Sequence, residues 1–596
     1  MAPGQKDSEF LRVMDQVDRI GLSTGFRRSG QLRSLLRYVV ERSLEQQHLV
    51  LKEYTLGVDV FGRPEDYDPR LDAIVRVQAN NLRSRLKDYY DGEGGSDDIL
   101  IQIPEGAYVP RITLSGNDQG DWVAAASRPT IAVLPFATGD PPVGQEYLAA
   151  GISGAVIANL SNSQSMHVLA RASSSVFAVR PVDYRKAAEA LNASHLLDGS
   201  VKQAGTRVQV EVQLIDSVRN ELIWAETFER ENEDLSKLQA DIAKKVVENL
   251  QMSLSEDELV RIREPGTENA MSYHAYLEGW HGFFSWTADG LSRARDCFQR
   301  AVQIDPKNGP AHAGLAWAWF ALANNGVLDS IEAAQEARRA ADDAVANAPK
   351  TSEAQTALGL VLAAFEHRWD QAEAAYREAI RLAPNSSFAH HTFAQLVLIP
   401  QRRFDEAVSE MRLARELDPL SVVTVAETGF ALYVSGRCDE AFELLTSAIE
   451  LHPAFYALYD YRAFTLDRMG RHEEAWLDMN KAYELEKNPM IEALLAYLAG
   501  RSGRQQRARE LYEEVSRAQE EGLSSSFGSA LAAIGVGRKD EAFEHLERCY
   551  QRREPALRLT TVGFGFEHLW DDPRFDVLRR KMRLPDPLAG KSTLNR

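Results

Sequence analysis

Asp198, Glu211 and Asp216 are the side chains in this sequence best suited to acid–base work, because they fall close together in one β-rich stretch. Proximity is not enough. Carboxylate chemistry needs a partner histidine, or a second acid, at a spacing that supports proton transfer or holds a metal. No carboxylate pair here has such a neighbour, so no catalytic residue and no metal site is expected. Gly151-x-x-Gly154 is too sparse for a phosphate-cradling loop and reads as a helix packing closely on a sheet. Cys297, Cys438 and Cys549 are widely spaced with no C-x-x-C, which excludes a disulfide framework or a cysteine zinc site and fits a reducing compartment. What remains is recognition chemistry. Residues 70–87 hold five Arg/Lys against Asp72, with Asn80 and Asn81 among them. Guanidinium groups and side-chain amides are the groups that meet phosphates and base edges.

Such residues need a helix to present them. The stretch AIVRVQANNLRSRLKDYY (73–90) puts Val75, Ala79, Leu82, Leu86 and Tyr89 on one face and Arg76, Asn80, Asn81, Arg83 and Lys87 on the other. Two helices should precede it. QLRSLLRYVVERSL carries Leu32, Leu35, Leu36, Val39 and Ser43 on one face; LKEYTLGVDVFG is stopped by Gly62, with Pro64 beyond. After the flexible DGEGGSDD, ILIQIPEGAYVPRI reads as a β-hairpin bent at Glu105-Gly106.

Three helices and a hairpin wing, with the pattern V-x-V-x-[IA]-x-x-L-R-x-[KR]-L over Val75 to Leu86, resemble the winged-helix effector domain of OmpR/PhoB-class regulators. The resemblance implies DNA binding, with Gln78, Asn80, Asn81 and Arg83 at the groove-facing positions; Arg76, Arg85 and Lys87 complete the expected DNA-binding set, Arg83 and Arg85 supplying positive charge near phosphates. It departs from the family in two ways: a helix replaces the leading sheet, and Glu105 stands where an arginine usually meets the minor groove.

The carboxy-terminal half is a repeat. Ala, a large apolar residue four on and a small residue three further recur from Ala294–Phe298–Ala301 to Ala542–Leu546–Cys549. Successive first alanines are spaced 43, 35, 35, 34, 34, 33 and 34 residues apart. A 34-residue period is that of the tetratricopeptide repeat, a helix–turn–helix unit whose small residues sit where helices approach closely. Gly436, Gly470, Gly503 and Gly537 fall five residues before their alanines, where the first helix must turn into the second. The long first step, over Leu328 to Ala334, implies a loop or an irregular repeat. About eight repeats are expected over residues 268–555, with a capping segment at 556–596.

Between head and repeats, TIAVLPF (130–136) begins a series of short strands and helices. RVQVEVQLID and ELIWAETFER follow as a hairpin in which Val208, Val210, Val212 and Leu214 alternate with polar residues. The ordered strings IAVLPF, EYLAAGISGAVIANLS, VLARASS, LLDGSV, RVQVEVQLID and LIWAETFER resemble the module related to the TolB amino-terminal and FlgO domains. Family members are often labelled adenylate cyclase because some carry a cyclase domain. Here module and repeats fill everything beyond about residue 125.

The chain of 596 residues, with net charge −19, cannot coat nucleic acid with its whole surface, although a local basic patch still can. Its first residues lack the apolar core of a signal peptide, and no apolar run reaches the ~18 residues of a membrane helix. The expectation is a cytoplasmic, bacterial, multidomain α+β protein. It comprises a winged helix (1–113), a linker (114–129), a small α/β module (130–255) and an all-α superhelix. Its function would be transcriptional regulation without enzymatic activity, metal or cofactor, with DNA under the head and a protein or peptide in the repeat groove. The membrane is not an expected partner; a homodimer is, since regulators of paired half-sites often dimerise. The alternatives are a scaffold whose head binds protein, and a cyclase-associated signalling protein.

Overall fold

The computed structural model describes residues 3–588 apart from 28, 45–52, 65–66, 68–71, 73, 96, 104–107, 109, 115–128, 139–146, 164, 179–180, 205–206, 218, 220, 232–234, 251–266, 268, 285–286, 488 and 521–524. It forms two compact units, Met1–Arg128 and Pro129–Arg596.

The first unit runs α1 (Pro3–Leu22), α2 (Gly30–Leu44), α3 (Glu53–Asp59), α4 (Ile74–Asp91), β1 (Ile99–Gln102) and β2 (Arg111–Leu114). Asp72 starts α4: its Oδ1 accepts the Ile74 amide at 3.0 Å, and its Oδ2 accepts Arg63 Nε at 2.8 Å. The core joins Leu32, Leu35, Leu36 and Val39 of α2 to Val75, Leu82 and Leu86 of α4, and closes with Ile99, Ile101 and Ile112 of the hairpin. β1 and β2 pair antiparallel, Ile99 opposite Leu114 and Gln102 opposite Arg111. The expected bend at Glu105-Gly106 lies outside the described residues. Asp97 ties the unit together, accepting Gln16 Nε2 at 2.6 Å, Tyr89 OH at 2.6 Å and Arg19 NH1 at 3.1 Å. Burial raises the pKa of this carboxyl, but the three donors outweigh it and hold the value low.

The second unit opens with β3 (Thr130–Val133), β4 (Ala137–Thr138), α5 (Tyr147–Ser161), β5 (His167–Val168), α6 (Arg171–Ser175), α7 (Tyr184–Leu191), β6 (His195–Ala204), β7 (Arg207–Asp216), β8 (Glu221–Glu231) and α8 (Leu235–Asn249). The sheet order is β5-β3-β6-β7-β8, with β4 also on β6. β3 lies parallel to β5 and β6, and β6-β7-β8 are antiparallel. Val208, Val210, Val212 and Leu214 point into the layer under α5 and α8. Ala187, Ala188 and Leu191 of α7 cover the other face.

Eight helical hairpins follow among the described residues: α9 (Ala270–Phe283) with α10 (Ala288–Ile304), α11 (Gly309–Asn324) with α12 (Ser330–Asn347), α13 (Ser352–Ala364) with α14 (Trp369–Leu382), α15 (Ser387–Phe393, running into a π turn at Ala394–Leu398) with α16 (Phe404–Leu417), α17 (Val422–Val434) with α18 (Cys438–Leu451), α19 (Tyr456–Arg468) with α20 (His472–Leu485), α21 (Pro489–Arg501) with α22 (Gln505–Glu520), and α23 (Ser526–Gly535) with α24 (Lys539–Gln551). The first alanine of each repeat pattern is fully buried. Glycine on the preceding helix receives the large residue that follows it: a Cβ on Gly359 would stand 2.7 Å from the Tyr376 ring, and one on Gly429 2.6 Å from Leu445. The irregular first step is taken up as helix rather than loop, since α11 has 16 residues and α12 has 18, against 13 and 14 in the next hairpin. Gly436, Gly470, Gly503 and Gly537 hold φ near +80° at the turns. At two earlier turns the same left-handed seat is taken by His367 (φ +53°) and Arg402 (φ +59°), which a side chain adopts only at a cost.

Those two turns meet the tail. The segment Pro555–Thr561, a 3₁₀ turn at Phe566–Leu569 and α25 (Pro573–Lys581) close the chain. α25 caps the last hairpin, with Lys581 Nζ 2.9 Å from Glu547. The preceding residues pass across the first helices of the hairpins. Phe564 packs on Phe430, Tyr433 and Phe464, and Phe566 on Phe527. Arg402 donates to the Thr561 carbonyl, and Trp369 Nε1 donates to that of Met582 at 2.9 Å. Arg552 reaches Asp329, at the turn of the second hairpin, at 3.4 Å.

Module and repeats are joined. Asn385 Nδ2 donates to the Ser163 and Met166 carbonyls at 2.6 and 2.9 Å, and the Ala170 amide to Leu417 O at 2.7 Å. Asp418 accepts both the amide and the hydroxyl of Ser173. Burial raises the Asp418 carboxyl to about 6. Asp418→Ala strands a buried amide and will lower stability by about 1–3 kcal/mol. Asp418→Asn keeps the acceptor, removes a buried charge and will stay close to the parent at pH 7.5. Melting curves in which the two variants fall together would refute this account of the joint.

Candidate nucleic-acid interface and an inter-layer cavity

α4 presents the seven residues singled out for DNA contact over a wide outward arc. Asn80, Asn81, Arg76, Arg85 and Lys87 are exposed, whereas Gln78 and Arg83 are half-buried. At about 100° per residue they fall in two groups. Arg76, Asn80, Arg83 and Lys87 lie on one flank, Gln78, Asn81 and Arg85 on the other, with Val77, Ser84 and Asp88 between. Val77 is 51% exposed.

Several of these groups are already engaged. Arg76 Nε lies 2.9 Å from Glu53 on α3. Arg85 donates to the Gly25 carbonyl. Arg83 donates through Nε to Ile103 O at 3.2 Å, bracing the hairpin, and through NH1 to Asn80 Oδ1 at 2.5 Å. That last bond matters chemically. Bidentate pairing with adenine uses an amide's oxygen and nitrogen together, and the Asn80 oxygen is occupied by Arg83. Glu105 lies outside the described residues.

The candidate acids do not converge. Asp198 is buried and accepts Tyr184 OH at 2.5 Å. Glu211 is exposed and pairs with Lys202 at 3.1 Å, and Asp216 caps its own turn at the Arg219 amide, 2.9 Å away. No group of three or more His, Cys, Asp or Glu that could hold a metal occurs among the described residues. All three cysteines are free, Cys297 and Cys549 buried. Gly151 lies against α9, where a Cβ would stand 2.5 Å from Leu277 Cδ1, so its smallness serves helix packing.

A cavity of about 320 Å³ does open between the module and the first four hairpins. Gly151, Gly154, Ala155 and Ala158 of α5 form one wall. Aromatic rings form the other: Trp280 stacks with Phe284 at 5.4 Å, and Trp317 meets Phe388 edge-on at 4.6 Å. Arg171, at the start of α6, reaches in over Gly154. No motif announced this site. Its signals, a lone arginine after VLA and aromatics scattered over three hairpins, acquire meaning only when the layers are assembled.

Residues 126–245 match the family described as "HilA/YgeH-like transcriptional regulator, second domain". A Rhizobium meliloti (strain 1021) protein named as an adenylate cyclase is 32% identical over 192 residues, a stretch covering 32% of this chain and 32% of that protein. The chain thus matches about a third of that curated relative's length. Among solved structures, pilF of Pseudomonas aeruginosa is 21% identical, with 35% of this chain and 94% of that one covered and a TM-score of 0.26. A tetratricopeptide repeat protein from Parabacteroides merdae is 16% identical, with 43% and 98% covered and a TM-score of 0.32. YrrB, described as a TPR protein with an unusual peptide-binding site, is 17% identical, with 33% and 94% covered and a TM-score of 0.24. No helix among the described residues is long and apolar enough to cross a membrane. Residues 126–245 are therefore a domain like the second domain of HilA/YgeH-type transcriptional regulators, set against a tetratricopeptide-type helical array.

Proposed function

We propose that this chain is a non-enzymatic, cytoplasmic transcriptional regulator whose first unit binds DNA through α4, with the β1–β2 hairpin as its wing. The observation that carries this reading is the arc of amides and cations on α4, backed by the unit's own core and flanked by a two-stranded hairpin. The regulator-type domain at residues 126–245 supports it. On this reading the module resembles TolB-N and FlgO domains, and with the hairpins it forms a body that senses a ligand or recruits a protein. Arg83 and Lys87 approach phosphates, while Asn81 reads a base edge. Asn80 joins in only when Arg83 releases its oxygen.

A salt titration of the full chain on promoter fragments tests the reading. Affinity should fall log-linearly with salt, by about 0.9 for each phosphate neutralised. Arg83→Ala should reduce that slope by roughly one, and Asn81→Ala should cost about 1–3 kcal/mol at the cognate site alone. Arg83→Ala and Asn80→Ala should be non-additive, because they share a hydrogen bond. A second reading, a head that docks protein, draws on exposed Val77 and on Asp88 at the centre of the arc. A flat salt response with unaltered variants would select it.

A further inference from the structure

Two buried donors on residues that line the inter-layer cavity lack acceptors. Trp317 is 4% exposed and Gln239 is 3% exposed, yet Trp317 Nε1 and Gln239 Nε2 have no hydrogen-bond partner. The Gln239 oxygen is already used, accepting Tyr273 OH at 2.5 Å. Leaving such groups dry and unpaired costs about 1–3 kcal/mol each, so a pocket that gathers them implies something that accepts. Arg171 adds a guanidinium whose ordinary pKa is lowered by burial; no ion pair or hydrogen bond offsets this among the described residues. Glu353 also lines the cavity, and burial raises its carboxyl above the usual carboxylate value. The remaining wall is ring surface and small aliphatic side chains. At about 320 Å³ the space is of the size that takes small organic ligands.

We propose that this cavity binds a small organic anion with an aromatic body, its carboxylate or phosphate oxygens received by the Arg171, Trp317 and Gln239 donors and its ring by Trp280, Phe284 and Phe388. This deepens the sensing half of the proposed function, and the site is placed to act as one. The ligand would bridge α5 and α6 of the module to the hairpins, so occupancy would stiffen the joint to which Asn385, itself on the cavity wall, and Asp418 contribute.

The test uses the full chain without DNA, so its failure is separable from failure of the DNA reading. Benzoate and phenyl phosphate serve as the two anion arms and benzyl alcohol as the neutral control. Tryptophan emission and unfolding temperature are followed. At least one anion should quench emission saturably and raise the unfolding temperature, and the stronger arm identifies the anionic group. Benzyl alcohol should bind at least tenfold more weakly. Arg171→Met should weaken the anion at least tenfold; Trp317→Phe, which keeps the ring and removes the N–H, should weaken it severalfold. Absence of saturable binding by both anions, equal binding of the alcohol, or affinities unchanged in both variants would overturn the proposal.

Discussion

Removing residues 555–596 will destroy the cooperative unfolding of the second unit. A terminal cap on an open solenoid would be expendable to a degree, but this tail is built into the array. Phe564 lies 4.6 Å from Phe464 and 5.1 Å from Phe430, and Phe566 lies 5.0 Å from Phe527. Leu569, Phe575, Leu578 and Met582 are buried as well. At about 1.5–3 kcal/mol per buried apolar side chain these six represent roughly 10–20 kcal/mol, an upper bound that ordering the segment partly offsets. That is still comparable with the ~5–15 kcal/mol net stability of a folded protein. The truncated chain will also expose the rings of Phe430, Tyr433, Phe464 and Phe527. The expected readouts are a broad, early melting transition and strong binding of a hydrophobic dye. A single substitution gives the graded version: Phe566→Ala should cost about 3–5 kcal/mol. A truncated protein that melts as sharply as the parent, within a degree or two, would show that the tail is only docked.

Asp460→Asn will stabilise the protein at pH 8, by about 2–4 kcal/mol, and leave it unchanged at pH 4. Asp460 is buried on α19 with its Oδ1 unpaired, beside Glu427, whose Oε2 is also unpaired. Burial, then the Glu427 charge, lifts its carboxyl from 3.8 to about 7. Between those values the folded protein holds a proton that the unfolded chain has lost. Stability therefore falls as pH rises from about 4 to about 7, then levels. Each unit of pKa is worth about 1.4 kcal/mol, which sets the size of the gain once the charge is gone. The new amide could also donate to the Glu427 oxygen. Arg558 compensates only in part: it is buried near Glu427 and spends NH1 on the Pro555 carbonyl at 2.6 Å. A variant whose advantage is the same at pH 4 and pH 8 would remove the titration argument.

The repeat could be read from the sequence because close helix crossings admit few residue types: alanine where the helices touch, glycine where the chain reverses. α4 could be read for the same reason, since Val75, Ala79, Leu82, Leu86 and Tyr89 keep one face of a 3.6-residue period. What could not be read depends on contacts distant in sequence. His367 and Arg402 carry no turn signature, and they hold left-handed backbone at the two turns that meet the tail. The pairing of Arg83 with Asn80 is a choice among rotamers that a helical wheel does not contain. Arg171 became a candidate only once four hairpins and α5 enclosed it.

The Arg552–Asp329 contact brings the last hairpin back to the second. Open repeat arrays change length readily over evolution, because a duplicated unit meets only its neighbours. Here one additional hairpin would carry Arg552 past its partner and shift every seat the tail occupies. Descendants of this chain should therefore vary freely in outward-facing residues while keeping the same number of hairpins, and a duplication would survive only with a remade tail.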